Sequence, residues 1–180
     1  MKKIQFTTFK EVRSQLKEWE GVSGIYMITF PQSIHIMGEI RSQHYIGQST
    51  NLRKRVREHL GAMNPENKGS DAESEIILRK YFGLLKDFEI TLFTAPEYNL
   101  NFYENLLVSK FGSISVSRFS MPSRSVIPNK LCEDFAWITE EEFANFKMNM
   151  PVLPSRVAKS VGREPIMPKP RPKVEEDYGF

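Results

Sequence analysis

The sequence predicts an α+β fold in which a small antiparallel sheet is flanked by helices. Residues 24–30 form a β-branched and aromatic run that ends at Pro31, and residues 44–47 form a second short segment that ends on a glycine. Residues 87–94 alternate apolar and polar side chains, which is the period of a half-buried strand. Segments with the three-to-four-residue period of amphipathic helices lie before, between and after these strands.

Residues 1–20 predict an N-terminal helix. Thr8 and Glu11 have the spacing of a capping box, and Val12 and Trp19 belong to the apolar stripe that follows. Glycines after the stripe end this helix before the first strand.

The two short strands are expected to pair as an antiparallel hairpin. Between them, residues 34–36 could extend the hairpin or form a further arm of it. After the hairpin, Ser49 or Thr50 is placed to cap a helix with a narrow apolar stripe and otherwise strongly basic residues.

The rest of the chain predicts three further helices. A capping box at Ser70 opens one that ends at Phe82, a second covers residues 101–111 and ends at Gly112, and a capping box at Thr139 opens the last. We expect a central domain over residues 21–130 and a short strand and helix extension beyond it.

Three less regular segments separate or follow these helices. Residues 113–128 are rich in serine and predict a loop with a short strand at 114–116, and residues 135–138 predict another strand. We expect residues 131–150, which contain this strand and the last helix, to form a C-terminal extension of the domain. Residues 151–180 are rich in proline and basic side chains, a composition that predicts an extended or disordered tail.

The composition excludes several classes of protein. A chain of 180 residues with 40% hydrophobic residues can bury one compact core. Cys132 is the only cysteine, which excludes disulfide frameworks and cysteine-rich zinc clusters and favours a reducing, cytoplasmic compartment. No segment approaches the ~20 apolar residues of a membrane span, so no membrane partner is expected. The net charge of +3 neither requires nor excludes a polyanionic partner.

Glu104 occupies an unusual position in the helix predicted over residues 101–111. It falls within the broad apolar arc of that helix. One interpretation is that Asn101 caps the helix and Glu104 completes a capping box. The other is that the carboxylate binds a divalent cation, because a charge on a core-facing surface requires a positive partner.

Arg55 and His59 lie four residues apart, and therefore on one face of the basic helix at the edge of its apolar stripe. They could form an ordinary solvated basic face. Together with Tyr26, Tyr45 and Glu104 they also supply the groups that phosphodiester hydrolysis requires. A phenolate or imidazole can take a proton from water, a guanidinium can hold phosphate charge, and a bound metal can stabilise the leaving oxygen.

The tripeptides GIY at residues 24–26 and YIG at residues 45–47 resemble those of the GIY-YIG nuclease superfamily. Arg55 and His59 follow the second tripeptide, and Glu104 lies on a later helix, in the order that this family shows. The resemblance covers about residues 21–130 and implies a three-stranded antiparallel sheet flanked by helices. It also implies an endonuclease that cleaves DNA with one divalent ion, Mg²⁺ or Mn²⁺.

By this resemblance Glu104 would ligate the metal and Arg55 would clamp the phosphate. Tyr45 is the first candidate for the general base, with Tyr26 beside it, and His59 would assist proton transfer or orient the water. An ordinary tyrosine, with a pKa of about 10, is a weak base at neutral pH. The charges of Arg55 and the metal would therefore have to lower that pKa.

Two features depart from the family pattern. Eighteen residues separate Tyr26 from Tyr45, more than in compact members, so residues 31–43 resemble an insertion that could lengthen the hairpin or contact DNA. The asparagine that commonly follows the glutamate helix is matched by Asn129, which lies beyond the serine-rich loop. Asn129 is carried as a further catalytic candidate.

Basic side chains supply candidate contacts to DNA phosphates, since Lys and Arg release condensed counterions when they bind. These candidates are Arg53, Lys54, Arg57, Lys68, Arg118 and Arg124. The length of the chain favours a free-standing nuclease of a phage, a mobile element or a bacterial defence or repair system. A homodimer would explain cutting of both strands.

Two other functions compete with the nuclease hypothesis. One is a catalytically inactive nucleic-acid-binding module on the same fold, against which the complete candidate set argues. The other is an interaction domain in which the motif match is accidental and Glu104 is only a helix cap. Replacing Glu104 by Gln separates a cap from a metal ligand, because a cap tolerates the change and a metal site does not.

Overall fold

The computed structural model describes residues 1–33, 35–36, 39–40, 42–64, 78, 87–114 and 126–149. Within these residues the chain has the expected α+β fold, with an antiparallel sheet and helices packed on both of its faces. No helix in these ranges has the length and apolar character needed to cross a membrane. The helix predicted over residues 70–82, the strand at 114–116 and the tail at 151–180 lie wholly or largely outside the described residues.

The described strands form two separate sheets. The strands are β1 (Lys2–Gln5), β2 (Gly24–Thr29), β3 (His35–Ile36), β4 (Glu39–Ile40), β5 (His44–Ser49) and β6 (Glu89–Thr94). Four of them form an antiparallel sheet in the order β1-β6-β2-β5. The pair β3 and β4 forms a two-stranded ribbon within the insertion that separates β2 from β5. In the main sheet, β2 is therefore internal and β5 is an edge strand.

The main sheet has four strands where the sequence predicts three, because β1 pairs with the outer edge of β6. Ile4 lies opposite Ile90 and is buried, whereas the two residues that flank it are exposed. A four-residue strand with a single buried side chain gives no detectable alternation. The N-terminal segment therefore contributes a strand as well as the predicted helix.

Two of the described helices cover one face of the sheet. Helix α1 (Phe9–Gln15) begins at Thr8, whose hydroxyl accepts the Glu11 backbone N–H at 3.2 Å, so the first capping box is confirmed. Helix α2 (Leu52–Met63) is capped by Asn51, whose Oδ1 accepts the Lys54 N–H at 3.0 Å. The prediction that Ser49 or Thr50 caps this helix is wrong, because the Ser49 hydroxyl is instead bonded to the backbone of Asn51.

The opposite face is covered by helix α3 (Leu100–Phe111) and by the C-terminal extension, which contains helix α4 (Glu140–Asn149). Helix α3 ends at Gly112, whose φ of 69° lies in the left-handed region that favours glycine. The capping box at Thr139 is confirmed by its hydroxyl, which accepts the Glu142 N–H at 3.1 Å. The strand predicted at 135–138 is wrong, since a 3₁₀ helix occupies Glu133–Phe135.

The sheet separates two hydrophobic clusters. One contains Tyr26, Ile28 and Tyr45 with the buried faces of α1 and α2, and the other contains Ile25 and Ile46 with the buried face of α3. Alternate residues of the same strand therefore enter different clusters, as the two-residue period of a strand requires. The two tyrosines of the sequence motif belong to the cluster on the α2 side.

Candidate active site

Tyr26 and Tyr45 project from the same face of the sheet on adjacent strands. Tyr26 lies opposite Gly47 and Tyr45 lies opposite Ile28 in the register of β2 and β5. The two tyrosines are thus diagonal neighbours, with ring centroids 6.3 Å apart and planes inclined by 26°. The register of β2 and β5 places both phenol rings on the face that α2 covers.

His59 projects from α2 onto these two rings. Its Nε2 lies 2.8 Å from Oη of Tyr26, and its ring centroid lies 5.1 Å from that of Tyr45. The sequence places His59 at the edge of the core, whereas the structure buries it completely. Its Nδ1 is buried and has no hydrogen-bond partner among the described residues. His59 therefore contacts the tyrosines and not the surface.

Burial controls the charge of this cluster. It lowers the pKa of His59 to about 3, with a smaller contribution from the positive charge of Arg55. Burial likewise raises the pKa of Tyr26 well above its usual value, and the neighbouring Tyr45 raises it further. At neutral pH the free protein therefore holds a neutral imidazole against a protonated Tyr26.

Arg55 lies one helical turn before His59 and is half-buried. Its positive charge partly opposes the rise that burial causes in the pKa of the nearby Tyr26 hydroxyl, and its Nη1 donates to Oε2 of Glu58 at 2.9 Å. Although burial lowers the pKa of Arg55, the Glu58 and Tyr26 contacts raise it more, so the side chain stays charged. A permanent positive charge thus lies beside the Tyr26 hydroxyl.

Glu104 approaches from the other side of the sheet, on α3. One of its oxygens, Oε2, accepts a hydrogen bond from Nε2 of Gln48 at 2.7 Å, and the same amide donates to Asn101. Helix α3 begins at Leu100, and Asn99 precedes it without a side-chain cap. The interpretation that Asn101 caps this helix with Glu104 completing a capping box is therefore wrong.

Gln48 is a site residue that the sequence analysis does not identify. Strand alternation directs Gln48 to the face opposite Gly47, and therefore toward α3. The sequence contains this alternation, but it identifies Gln48 as a site residue only when the position of α3 is known. Burial raises the pKa of Glu104, while the hydrogen bond from Gln48 opposes that rise.

The two sides of the site meet at the edge strand β5. A methyl group on Gly47 would collide with the Tyr26 hydroxyl and lie 2.5 Å from Cζ, so the Tyr26 ring lies directly across this glycine. Burial is the main cause of the raised pKa of Tyr26, and the charge of Glu104 on the other side of the sheet adds a smaller rise. Gly47 therefore gives Tyr26 its access to the edge of the sheet.

Gly24, the first residue of the other tripeptide, is also required by close packing. A methyl group there would collide with the backbone carbonyl of Phe93 and lie 2.9 Å from Cδ1 of Leu52. Close packing thus requires glycine at both motif positions, whatever the function of the chain.

One carboxylate is available to hold a metal at this site. No group of three or more His, Cys, Asp or Glu side chains lies together in the described part of the chain. Mg²⁺ retains several waters and is commonly bound by one or two carboxylates together with substrate phosphates. Glu104, which forms no ion pair with any described residue, fits the role of such a single protein ligand.

The remaining candidates are dispersed. Lys54 and Arg57 are exposed on the outer side of α2, and Arg53 beside them pairs with Glu20 at 2.6 Å. Asn129 is exposed, and none of its described contacts joins it to the tyrosine cluster. The other three predicted phosphate contacts lie outside the described residues: Lys68, Arg118 and Arg124.

Comparison of the chain with models of known protein families, with curated proteins and with solved structures finds no match. The resemblance to GIY-YIG nucleases therefore depends on the motif residues themselves. Four of those residues form one contact cluster, and the fifth, Glu104, lies across strand β5 from it.

Proposed function

We propose that this chain is a metal-dependent DNA endonuclease. The observation that carries the proposal is the convergence of Tyr26, Tyr45, Arg55 and His59 on one side of β5, with Glu104 on the other. These residues come from two strands and two helices, and helix α3 lies far in sequence from the other three elements. Their proximity in the fold supports a shared chemical role more strongly than the sequence motif alone does.

The charges of the cluster suggest a division of roles. Arg55 is permanently charged and is placed to hold a phosphate near the Tyr26 hydroxyl. Tyr26 stays protonated at neutral pH and is held by Arg55 and His59, which supports a positioning role. Tyr45 remains the first candidate for the general base that takes a proton from water.

Glu104 would hold Mg²⁺ or Mn²⁺, and Gln48 would fix the orientation of its carboxylate. When bound, the ion would supply stabilisation of the charge that develops on the leaving oxygen. The raised pKa of Glu104 is consistent with a carboxylate that lacks a positive partner in the free protein.

The experiment is cleavage of supercoiled plasmid by purified protein with and without Mg²⁺, using wild type, Glu104→Gln and Glu97→Gln. We expect metal-dependent nicking or linearisation by wild type and by Glu97→Gln, because Glu97 is exposed and has the same charge. Glu104→Gln should lose cleavage and keep its thermal stability, since the neutral amide avoids the cost of burying a charge.

Three results would change the proposal. Binding without cleavage in Mg²⁺ or Mn²⁺ would favour the catalytically inactive nucleic-acid-binding module. Neither binding nor cleavage would show that the motif match is accidental. Linear product formed in one encounter would favour a homodimer, in which each copy cuts one strand.

A further inference from the structure

A basic cleft lies between the N-terminal segment and the outer surface of α2, outside the candidate active site. Its volume is about 410 Å³, and it is open to solvent. Five side chains line it: Arg13, Glu20, Lys54, Arg57 and Glu58. Arg13 comes from α1, which precedes the part of the chain that resembles the nuclease family.

Both carboxylates of this cleft form ion pairs with arginines that lie outside its lining. Glu20 binds Arg53 at 2.6 Å and Glu58 binds Arg55 at 2.9 Å. By contrast, Arg13, Lys54 and Arg57 form no ion pair with any described residue. Arg57 nevertheless lies close enough to Glu20 to help lower the pKa of that carboxyl. Counted with Arg53 and Arg55, which pair with its two carboxylates, the cleft carries more positive than negative charges.

Arg13 differs from an ordinary surface arginine. The side chain is half-buried, and its Nε is shielded from solvent without a hydrogen-bond partner among the described residues. A shielded donor with no acceptor is costly unless a ligand satisfies it. The guanidinium fork matches the oxygen geometry of a phosphate.

Glu58 lies between the cleft and the candidate active site. This residue lines the cleft and also holds Arg55, which contacts Tyr26. A polyanion that reaches Arg55 therefore has a basic surface to follow across α2 toward α1. A single small anion could not occupy the cleft and contact Arg55 at the same time.

We propose that the α1–α2 cleft binds a DNA backbone phosphate remote from the cleaved bond, with Arg13 as its contact from the N-terminal helix. The inference rests on the proposed nuclease function, since the DNA would be the same substrate. Lys54 and Arg57 complete the phosphate site, and Glu58 separates it from the scissile phosphate at Arg55.

The test is the salt dependence of DNA binding. Fluorescence anisotropy of a labelled duplex is measured in EDTA, where no cleavage occurs, for wild type, Arg13→Gln and Lys3→Gln. Lys3 is an exposed residue of β1 that pairs with Glu89, so its variant has the same net charge but an intact cleft. Loss of one phosphate contact should reduce the slope of log K against log salt by about 0.9, which is about 8-fold in affinity at ~0.1 M salt.

Arg13→Gln should show this reduction, Lys3→Gln should not, and Arg13→Lys should recover most of the slope because it keeps the charge. Equal slopes for Arg13→Gln and Lys3→Gln would overturn the proposal. If Arg13→Gln fails to fold, Arg57→Gln, at an exposed side chain of the same cleft, decides the question by the same comparison of slopes.

Three further outcomes separate the sources of phosphate and the two proposals. If inorganic phosphate raises the melting temperature of wild type but not of Arg13→Gln, while the DNA slopes are equal, the cleft binds a small anion and the DNA assignment falls. If Arg13 contributes to DNA binding but wild type never cleaves, the nuclease function falls, and the cleft is a backbone-phosphate site of a protein that only binds DNA. If wild type cleaves and the slopes are equal, only the cleft assignment falls.

Discussion

Mild acid should destabilise this protein through His59. The imidazole is fully buried, and its pKa is lowered to about 3 in the folded chain. In the unfolded chain a histidine titrates near its ordinary pKa of about 6.5. As the pH falls below that value, the unfolded chain binds a proton that the folded chain does not, so stability decreases. Above it, both states are neutral and His59 contributes no pH dependence.

The magnitude follows from the two pKa values. The free energy of unfolding should fall by about 1.4 kcal/mol for each pH unit below about 6.5. Between about pH 7.5 and pH 5 the loss from His59 is therefore about 2 kcal/mol. Ordinary carboxylates titrate below this range. Glu104 acts in the opposite direction, because its raised pKa favours the folded state as the pH falls.

The assay is urea unfolding at the two pH values, followed by tryptophan fluorescence, to which buried Trp19 and exposed Trp137 both contribute. His59→Gln should remove about 2 kcal/mol of the pH dependence, whatever its stability at neutral pH. His44→Gln is the comparison variant: burial also lowers the pKa of the half-buried His44, so this variant should lose a smaller part of the pH dependence than His59→Gln. The reasoning is refuted if His59→Gln and wild type lose the same stability on acidification.

Two substitutions test the local geometry, each by chemical denaturation. Gly47→Ala should destabilise the protein by about 2 kcal/mol or more, because the methyl displaces the Tyr26 ring from His59. In a Tyr26→Ala background that cost should fall below about 1 kcal/mol, and equal costs in both backgrounds would contradict the predicted collision. Asn51→Ala should cost about 1 kcal/mol through loss of the α2 cap, and Asn51→Ser should restore most of it. Equal stability of the Ala and Ser variants would show that the cap contributes little.

Local signals predicted the parts of the fold that local contacts determine. The capping boxes that begin at Thr8 and Thr139 are present because their partners lie three residues away in sequence. The helix end at Gly112 is present because it requires a left-handed backbone. Strands β2 and β6 follow from β-branched composition and from alternation.

Contacts between distant segments explain the errors. Phe135 lies in an apolar run that resembles a strand, but its ring packs 4.2 Å from that of Tyr103 and 5.1 Å from that of Phe93. Those neighbours favour a compact 3₁₀ turn, and neither is adjacent in sequence. Strand β1 is similarly determined by the free edge of β6, which no pattern in residues 2–5 reveals.

The candidate site divides in the same way. Strand alternation, together with the register of β2 and β5, places Tyr26 and Tyr45 on the same face of the sheet. Helical spacing places Arg55 and His59 on the same face of α2. The complete burial of His59 depends on how α2 is rotated against the sheet, which its sequence leaves open. The contact between Gln48 and Glu104 depends on the docking of α3, so sequence alone could identify the carboxylate but not its partner.

The position of the site at β5 follows from the topology of the sheet. Groups on opposite faces of a sheet are separated by its backbone. They can contact one substrate only at an edge of the sheet. In the main sheet as described, β5 is the edge nearest both α2 and α3. Tyr26 belongs to the internal strand β2, yet its ring crosses Gly47 toward that edge. A side chain at residue 47 would displace the Tyr26 ring, so the glycine that packing requires is also the one that lets this ring lie against the edge strand.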